Sequence, residues 1–412
     1  MIKNVHGFIF GKLGDKYITK KEDKDGHILI VGGSGSGKTS CLAIPSLWTW
    51  KSPVFCIDIK GELYKKTSSV RKNIKVFDPL KADTWGYDPF FVLSKTDNQA
   101  QEAEAISISL IPLPPETKDE FWIHSARNML TGFMLHFYNV GLSFVKTIEK
   151  IQSSDIGKLI NDICDNTTTN EVKFYLNNFM YMDNKPLMSV YAELSRHIII
   201  YATDKQIKSA LSQDSKKNIS PTLLEKGEDV YICIQEHLLR QWKQLLTLII
   251  SQFIRHFEKR SEETATPILF LLDEFPRLGK IEEIADVFAT LRSKKITVCA
   301  IIQSLAQLDL IYGTSARRVI VDNCSFKAIL NATDADSQEY FSRLVGTYDK
   351  PKTSTDKRYE PITGFPAGKG RHNTTEEKRI MKPEEFATLT DIVLFAPFGC
   401  VRAEKAWYFN YL

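Results

Sequence analysis

Nowhere does this chain hold the roughly 18 consecutive apolar residues needed to cross a bilayer, and its N-terminus lacks the apolar core of a signal peptide. As given, the chain is expected to be soluble. Cysteine is sparse and scattered. Cys41, Cys56, Cys164, Cys233, Cys299, Cys324 and Cys400 stand singly, without a C-x-x-C pair or a histidine at ligand spacing. Most fall in apolar runs, and they read as small buried hydrophobes in a reducing cytoplasm. Charge of one sign is missing too: 54 Lys and Arg face 50 Asp and Glu. A dedicated nucleic-acid tail is far more lopsided, so this balance permits an anionic partner without demanding one. There is no internal repeat and no low-complexity tract. What remains is an ordinary globular composition, 43% hydrophobic and 25% charged, over 412 residues, enough for two or three domains.

Against those absences one motif stands out. Gly32-Gly33-Ser34-Gly35-Ser36-Gly37-Lys38-Thr39 fits G-x-x-x-x-G-K-[ST] without a mismatch and follows a strand-like run, His27-Ile28-Leu29-Ile30-Val31. A loop that wraps its backbone N–H groups around phosphates needs positive φ angles and no side chains in the way, hence the glycines. In such a loop Lys38 reaches the β- and γ-phosphates and the Thr39 hydroxyl ligates Mg²⁺. The helix beginning at Lys38 turns its positive end to the same anion. The predicted nucleotide contacts are Gly33, Ser34, Gly35, Ser36, Gly37, Lys38, Thr39 and Ser40.

Short apolar runs at 27–31, 53–59, 74–78, 229–235, 267–273, 296–302, 324–331 and 391–397 are near-continuous rather than alternating, the pattern of buried parallel strands. Helical patterns separate most of them; between 236 and 258 apolar residues recur at three- and four-residue steps. The predicted fold is α/β, a mostly parallel twisted sheet flanked by helices. From about 95 to 218 the strand rhythm stops. Helices are expected over 119–139, with Asp119 as N-cap, and over 187–207, while Ile111-Pro112-Leu113-Pro114-Pro115 breaks the helix before them. The division expected is a first nucleotide-binding part at 1–94, an inserted all-α domain at 95–218, and a second nucleotide-binding part at 219–412. Residues 349–382, punctuated by Pro351, Gly364, Pro366, Gly368 and Gly370 and rich in Lys and Arg, read as a long functional or disordered loop.

Ile268-Leu269-Phe270-Leu271-Leu272 is a hydrophobic strand ending in Asp273 and Glu274. Beside a phosphate loop, such an Asp holds the Mg²⁺ shell and such a Glu polarises the attacking water. Two readings stand for Gln303, at the tip of the run 296–302: it senses the γ-phosphate or water, or it simply bonds to solvent. Arg292 likewise either satisfies a helix C-terminus or acts as an arginine finger in a neighbouring subunit's site. The segment Asp58-Ile59-Lys60-Gly61-Glu62 reads as a strand-to-helix turn. His124, His197 and His256 read as structural, and the aromatic stripe of 122–138 as core.

Taken in order, these residues resemble the type IV secretion coupling proteins, ATPases of conjugative DNA transfer with a RecA-like motor core. The resemblance spans most of the chain: His6-Gly7, Phe10-Gly11-Lys12, the phosphate loop with Ile44-Pro45, Asp58–Leu63, Phe121-Trp122 with Ala126, and Leu269–Glu274. Ala289–Ser293, Gln303–Leu308, Asn323-Cys324 and Lys382–Phe386 complete it. It implies that Lys38 and Thr39 bind ATP and Mg²⁺ and that Asp273 and Glu274 are the metal and catalytic carboxylates. It also implies that Gln303 senses phosphate, that Arg292 acts in trans in a hexamer, and that the all-α segment recognises relaxase–single-stranded DNA or protein substrates beside the secretion channel. Lys294, Lys295, Arg317, Arg318 and residues 349–382 are candidates for lining a DNA pore. Family members commonly begin with transmembrane helices, whereas this chain starts almost at the motor. A soluble subset, an anchor on another protein and a shortened product all accommodate that departure, and cytoplasmic residence at the inner face of the membrane, through partners, is the expectation. Two other functions fit the same residues: a nucleotide-switched receptor or adaptor, and a partitioning or packaging ATPase.

Overall fold

The computed structural model describes residues 4–114, 117, 119–212, 217–262, 266–281, 284–359 and 366–411. The eight apolar runs all form strands of one sheet. In chain order they are β3 (Ile28–Val31), β4 (Val54–Asp58), β5 (Ile74–Phe77), β6 (Asp229–Cys233), β7 (Ile268–Leu272), β8 (Ile296–Ile302), β9 (Phe326–Ile329) and β12 (Ile392–Ala396). Ahead of them lies a hairpin, β1 (Phe8–Leu13) with β2 (Lys16–Lys20), and a last strand, β13 (Gly399–Ala403), closes one edge. The sheet order is β13-β12-β9-β3-β8-β7-β4-β6-β5. From β9 to β5 neighbours run parallel, and β12 and β13 are antiparallel additions.

Burial on both faces explains the unbroken apolar runs. Leu29 and Val31 of β3, with Ile268, Phe270 and Leu272 of β7, enter one core. Ile28, Ile30, Leu269 and Leu271 point to the other, where they meet Phe8, Phe10, Leu42 and Leu47. Period-two alternation thus feeds two apolar layers, and the few polar exceptions are partnered, as Thr297 of β8 is by the Lys20 amine at 2.9 Å.

The helices flanking the sheet are α1 (Ile44–Thr49) and α2 (Glu62–Thr67), followed by α3 (Gln99–Leu110), α4 (Phe121–Asn139), α5 (Phe144–Ser153), α6 (Ile156–Asn166), α7 (Asn170–Met180), α8 (Asn184–Thr203) and α9 (Lys205–Ala210). Among the described residues no strand intervenes between β5 and β6. The chain re-enters the α/β layers through α10 (Pro221–Glu225), α11 (Leu239–Glu258), α12 (Ile284–Thr290), α13 (Leu305–Asn323) and α14 (Ala335–Val345). Within the helical block α4 is the hub, its Met129, Leu130 and Phe133 fully buried in the core that also takes Phe55 and Phe270 from the sheet. Helix α3 ends at Leu110, immediately before the Pro-rich segment, of which Pro115 lies outside the described residues.

Three expectations need correction. The helix expected over 187–207 is two helices, because Asp204 is extended and its carboxylate accepts from Gln206 N and Ile207 N, capping a new start. The helix expected from 119 begins at Phe121, although Asp119 Oδ1 does accept from Phe121 N at 3.1 Å. Residues 349–382 are not a plain loop: β10 (Thr347–Tyr359) and β11 (Pro366–Arg379) pair antiparallel as a separate two-stranded ribbon. Gly364 lies outside the described residues. Of the cysteines, six are buried and Cys400 is exposed.

One buried ion pair ties two inner strands of the sheet to its first helix. The Arg71 guanidinium donates to both carboxylate oxygens of Asp229, at 2.6 and 2.7 Å, and to the carbonyls of Leu47, Trp50 and Ser52. Asp229 in turn accepts from Val54 N at 2.9 Å, so β4, β6 and the end of α1 are fastened together. Both side chains are less than a tenth exposed. Arg71→Ala strands that carboxylate and is expected to cost about 3–5 kcal/mol. Arg71→Lys recovers only part, since an ammonium cannot supply the planar fork. Urea denaturation of the two variants measures this, and a wild-type midpoint for Arg71→Ala refutes it.

Candidate nucleotide-binding site

The phosphate loop leaves β3 at Gly32, whose N–H donates to Ile302 O at the end of β8 (3.1 Å). Gly35 and Gly37 take φ of 73° and 101°, values that an L side chain resists. Gly37 is constrained twice, because a Cβ there would come within 2.8 Å of the Trp407 ring. A π-helical turn, Lys38–Ala43, leads from the loop into α1. Thr39 and Ser40 sit half-buried at its start. The Lys38 amine lies folded into the loop, donating to Gly32 O at 2.5 Å and Gly33 O at 3.0 Å. Burial holds its pKa below the usual lysine value, while Glu274 and Asp273 pull it back up.

Parallel neighbours bring the second half of the site alongside. β7 lies between β8 and β4, with β3 beyond β8, so residues just past four strand ends converge at the carboxyl edge of the sheet. Asp273 and Glu274 follow β7, Gln303 follows β8, and Lys60 follows β4. Gln303 Nε2 donates to Glu274 Oε2 at 3.0 Å, and Lys60 Nζ stands 4.0 Å from Glu274 Oε1. Glu274 is 4% exposed and occupies the left-handed region, φ 49° and ψ 45°, a conformation that costs a residue with a Cβ about 1–3 kcal/mol. The carboxylate is therefore aimed by a strained backbone and held by a side-chain amide.

Asp273 carries the clearest electrostatic signature. Burial first, then the Glu274 and Asp58 charges, push its pKa up to about 7, with Lys60 and Lys38 opposing. Asp58 is itself fully buried and raised by burial, although backbone amides around the 60–64 turn work against the shift. Asp58, Asp273 and Glu274, gathered out of water, offer hard oxygen atoms suited to a divalent cation bound with phosphates. The amine and the loop amides supply the anion's partners. The residues present fit both groups.

The remaining sequence candidates divide. Lys38, Asp273, Glu274 and Gln303 are brought together. The Gly33 amide is already engaged, donating to Asn331 Oδ1 at 2.6 Å. Arg292 is not in this site. It is exposed in the turn before β8, near His27 at the start of β3, and the seven residues of β8, about 20 Å of strand, separate it from Gln303. Of the pore candidates, Lys294 pairs with Glu262 (3.2 Å) and Arg317 with Asp309 (3.0 Å), while Lys295 and Arg318 are exposed. His197 bonds to Glu193 one turn earlier on α8, and His124 to Glu120 just ahead of α4, as structural histidines do.

Sequence reasoning missed four contributors. The Asp58–Glu62 segment is indeed a turn into α2, with Gly61 at φ 67°, but it also delivers Lys60 and Asp58 to the carboxylates. Asn331, just past β9, holds the loop from the other side. Lys405 Nζ donates to Ser36 O at 3.0 Å, bringing the C-terminal segment onto the loop beside Trp407. The signal for Asn331 and Lys60 was their position at the tips of apolar runs, unreadable without strand order.

Fold and loop together define the class as RecA-like P-loop α/β proteins. The family described as Type IV secretory system Conjugative DNA transfer matches residues 2–411, and the chain belongs to it. It is 26% identical over 429 residues to protein VirD4 of Agrobacterium fabrum, and 22% identical over 409 residues to conjugal transfer protein TraG of Escherichia coli. The alignments cover 98% and 86% of this chain and 62% and 63% of those proteins, so the chain spans about three fifths of the length of these curated relatives. Among solved structures, the plasmid coupling protein TrwB in complex with ADP and Mg²⁺ superposes with a TM-score of 0.70 at 17% identity, covering 92% of this chain and 84% of that one. VirB4 of Thermoanaerobacter pseudethanolicus gives 0.57 at 12% identity, covering 99% and 98%. Among the described residues no helix is long and apolar enough to cross a membrane.

The Asp273 shift has a sign that can be checked. An unfolded aspartate titrates near pH 3.9, so the folded chain binds the extra proton between there and about pH 7. Stability from this group is full below the unfolded value and falls as pH rises through the folded one. Asp273→Asn is expected to raise the thermal midpoint of the ligand-free protein by several degrees at pH 8 and by clearly less at pH 5. Equal shifts at both pH values would refute the assignment.

Proposed function

We propose that this chain is the ATP-hydrolysing motor of a coupling protein that delivers relaxase-bound single-stranded DNA to a type IV secretion channel. The observation that carries the reading is the meeting of Lys38 with Asp273, Glu274 and Gln303 at one edge of the sheet. In this reading residues 1–94 and 219–412 form the nucleotide-binding domain and 95–218 the substrate-recognition domain.

Lys38 leaves the carbonyls of Gly32 and Gly33 and turns its amine to the β- and γ-phosphates of ATP. Thr39 and Asp273 hold Mg²⁺, and the amides of Ser34–Ser40 line the phosphates. Bound Mg²⁺ supplies neutralisation of the charge that builds on the phosphate oxygens. Glu274, held by Gln303 and facing Lys60, accepts the proton of the attacking water. Gln303 touches Glu274 and lies where a γ-phosphate would arrive, so it reports phosphate occupancy to the base. Arg292, exposed and about a strand's length from its own Gln303, serves the site of the next subunit in a homo-hexamer. TrwB has been solved with ADP and Mg²⁺, in keeping with the same ligand pair here.

A docking role accompanies the motor. Phe174 and Tyr181, on and just after α7, are 77% and 87% exposed, and Met188 and Ile199 of α8 are also solvent-facing. Apolar side chains left bare on a helical block support contact with protein substrates. Reached through such partners, the chain works at the inner face of the membrane.

ATPase assays with and without single-stranded DNA test the motor. Lys38→Ala and Glu274→Gln are expected to lose at least 100-fold in kcat; wild-type activity indifferent to DNA would sink the DNA motor. Specific activity is expected to climb with protein concentration. Mixing inactive Arg292→Ala with inactive Glu274→Gln restores partial activity where subunits share sites, and no recovery at any ratio counts against trans action.

A further inference from the structure

The phosphate loop accounts for a nucleotide's anionic end and leaves its base without a partner. Beside that loop the chain presents aromatic surface. Past β13, Lys405 donates to Ser36 O, which fixes the segment 405–411 to the loop, and the same amine stands over the Trp407 ring at 5.8 Å. Trp407 lies against Gly37, close enough that no side chain fits between them. Phe409 stacks on Trp407, centroids 5.4 Å apart and planes 21° from parallel, and is 54% exposed.

The intervening residue explains why this pair is held in place. Tyr408 turns the other way and packs edge-on against Trp48 of α1, centroids 5.9 Å apart. Tyr411 then reaches the first hairpin, where Lys12 stands over its ring at 5.1 Å. Two anchored tyrosines, one between the pair and one beyond it, thus hold a half-buried Trp407 beneath an exposed Phe409. Rigid aromatic surface held in advance loses little freedom when a flat ligand lands on it. A stack with one exposed ring, abutting a phosphate loop, has one ligand chemistry to offer that the loop lacks, a π-face.

We propose that Trp407 and Phe409 form the platform on which the base of the bound nucleotide stacks, one ribose away from the phosphates held by Gly37–Ser40. This inference rests on the nucleotide reading above. Stacking reads area rather than a hydrogen-bond pattern, so the platform favours purines over pyrimidines.

The test is titration of the full chain, with Mg²⁺ present, by ATP and by inorganic tripolyphosphate, followed calorimetrically and by tryptophan fluorescence. Trp407→Ala is expected to weaken ATP about tenfold or more, the size of a lost base–aromatic stack, and to leave tripolyphosphate unchanged. Trp407→Phe recovers most of the loss, and Phe409→Ala, a surface change that spares folding, weakens ATP several-fold. Equal weakening of both ligands by Trp407→Ala would mean that the ring only braces the loop, and unchanged ATP affinity in both alanine variants would dismiss the platform. Lys38→Ala separates the two levels. Loss of both ligands in that variant upholds the phosphate site whatever Trp407 does. A wild-type chain that binds neither ligand overturns the nucleotide reading and the platform with it.

Discussion

Negative charge held out of water at the ends of adjacent strands is the constraint around which this molecule is arranged. Asp58 and Asp273 terminate β4 or follow β7, neighbours in a parallel sheet, and Glu274 stands beside them with its backbone forced to positive φ. Parallel strands leave no choice about this: all their carboxyl ends lie on one edge, so acids placed there crowd each other. The molecule tolerates the crowding through Lys38, Lys60 and the Gln303 amide, and the residual strain surfaces as an aspartate reluctant to ionise. A site this unfavourable in isolation is poised for a cation and phosphates together, because each relieves the other's excess charge.

Much of this was legible before any coordinates. The phosphate loop and the acidic strand carry their chemistry in order along the chain, and eight strands announced themselves because burial on two faces demands unbroken apolar runs. The helical block was visible through the disappearance of such runs. What sequence could not give is adjacency. Nothing in the order of residues says that β4 lies beside β7, and so Asp58-Ile59-Lys60 read as a turn when it is also a wall of the site. Arg292 shows the converse: it precedes a central strand in sequence, yet the length of β8 removes it to the opposite end of that strand from Gln303.

The elements that escaped notice share a physical cause. The β10–β11 ribbon pairs only with itself, so no core selects an apolar stripe and its sequence of Lys, Thr, Glu and Gly looks like a loop. The break at Asp204 hides within an otherwise periodic helix, because a single capping carboxylate does not disturb the apolar spacing around it. The C-terminal aromatics carry no motif or spacing of their own, and their placement against Gly37 emerges only in the fold.

The apolar layer beneath Phe55 and Phe270 does not stop at the sheet but continues without interruption into Met129 and Phe133 of α4. A close-packed interior transmits displacement rather than absorbing it. A displacement of the outer helices is therefore mechanically in series with the strands whose tips gather Asp58, Asp273 and Glu274. A push on the helical block reaches the carboxyl edge of the sheet through packed hydrocarbon.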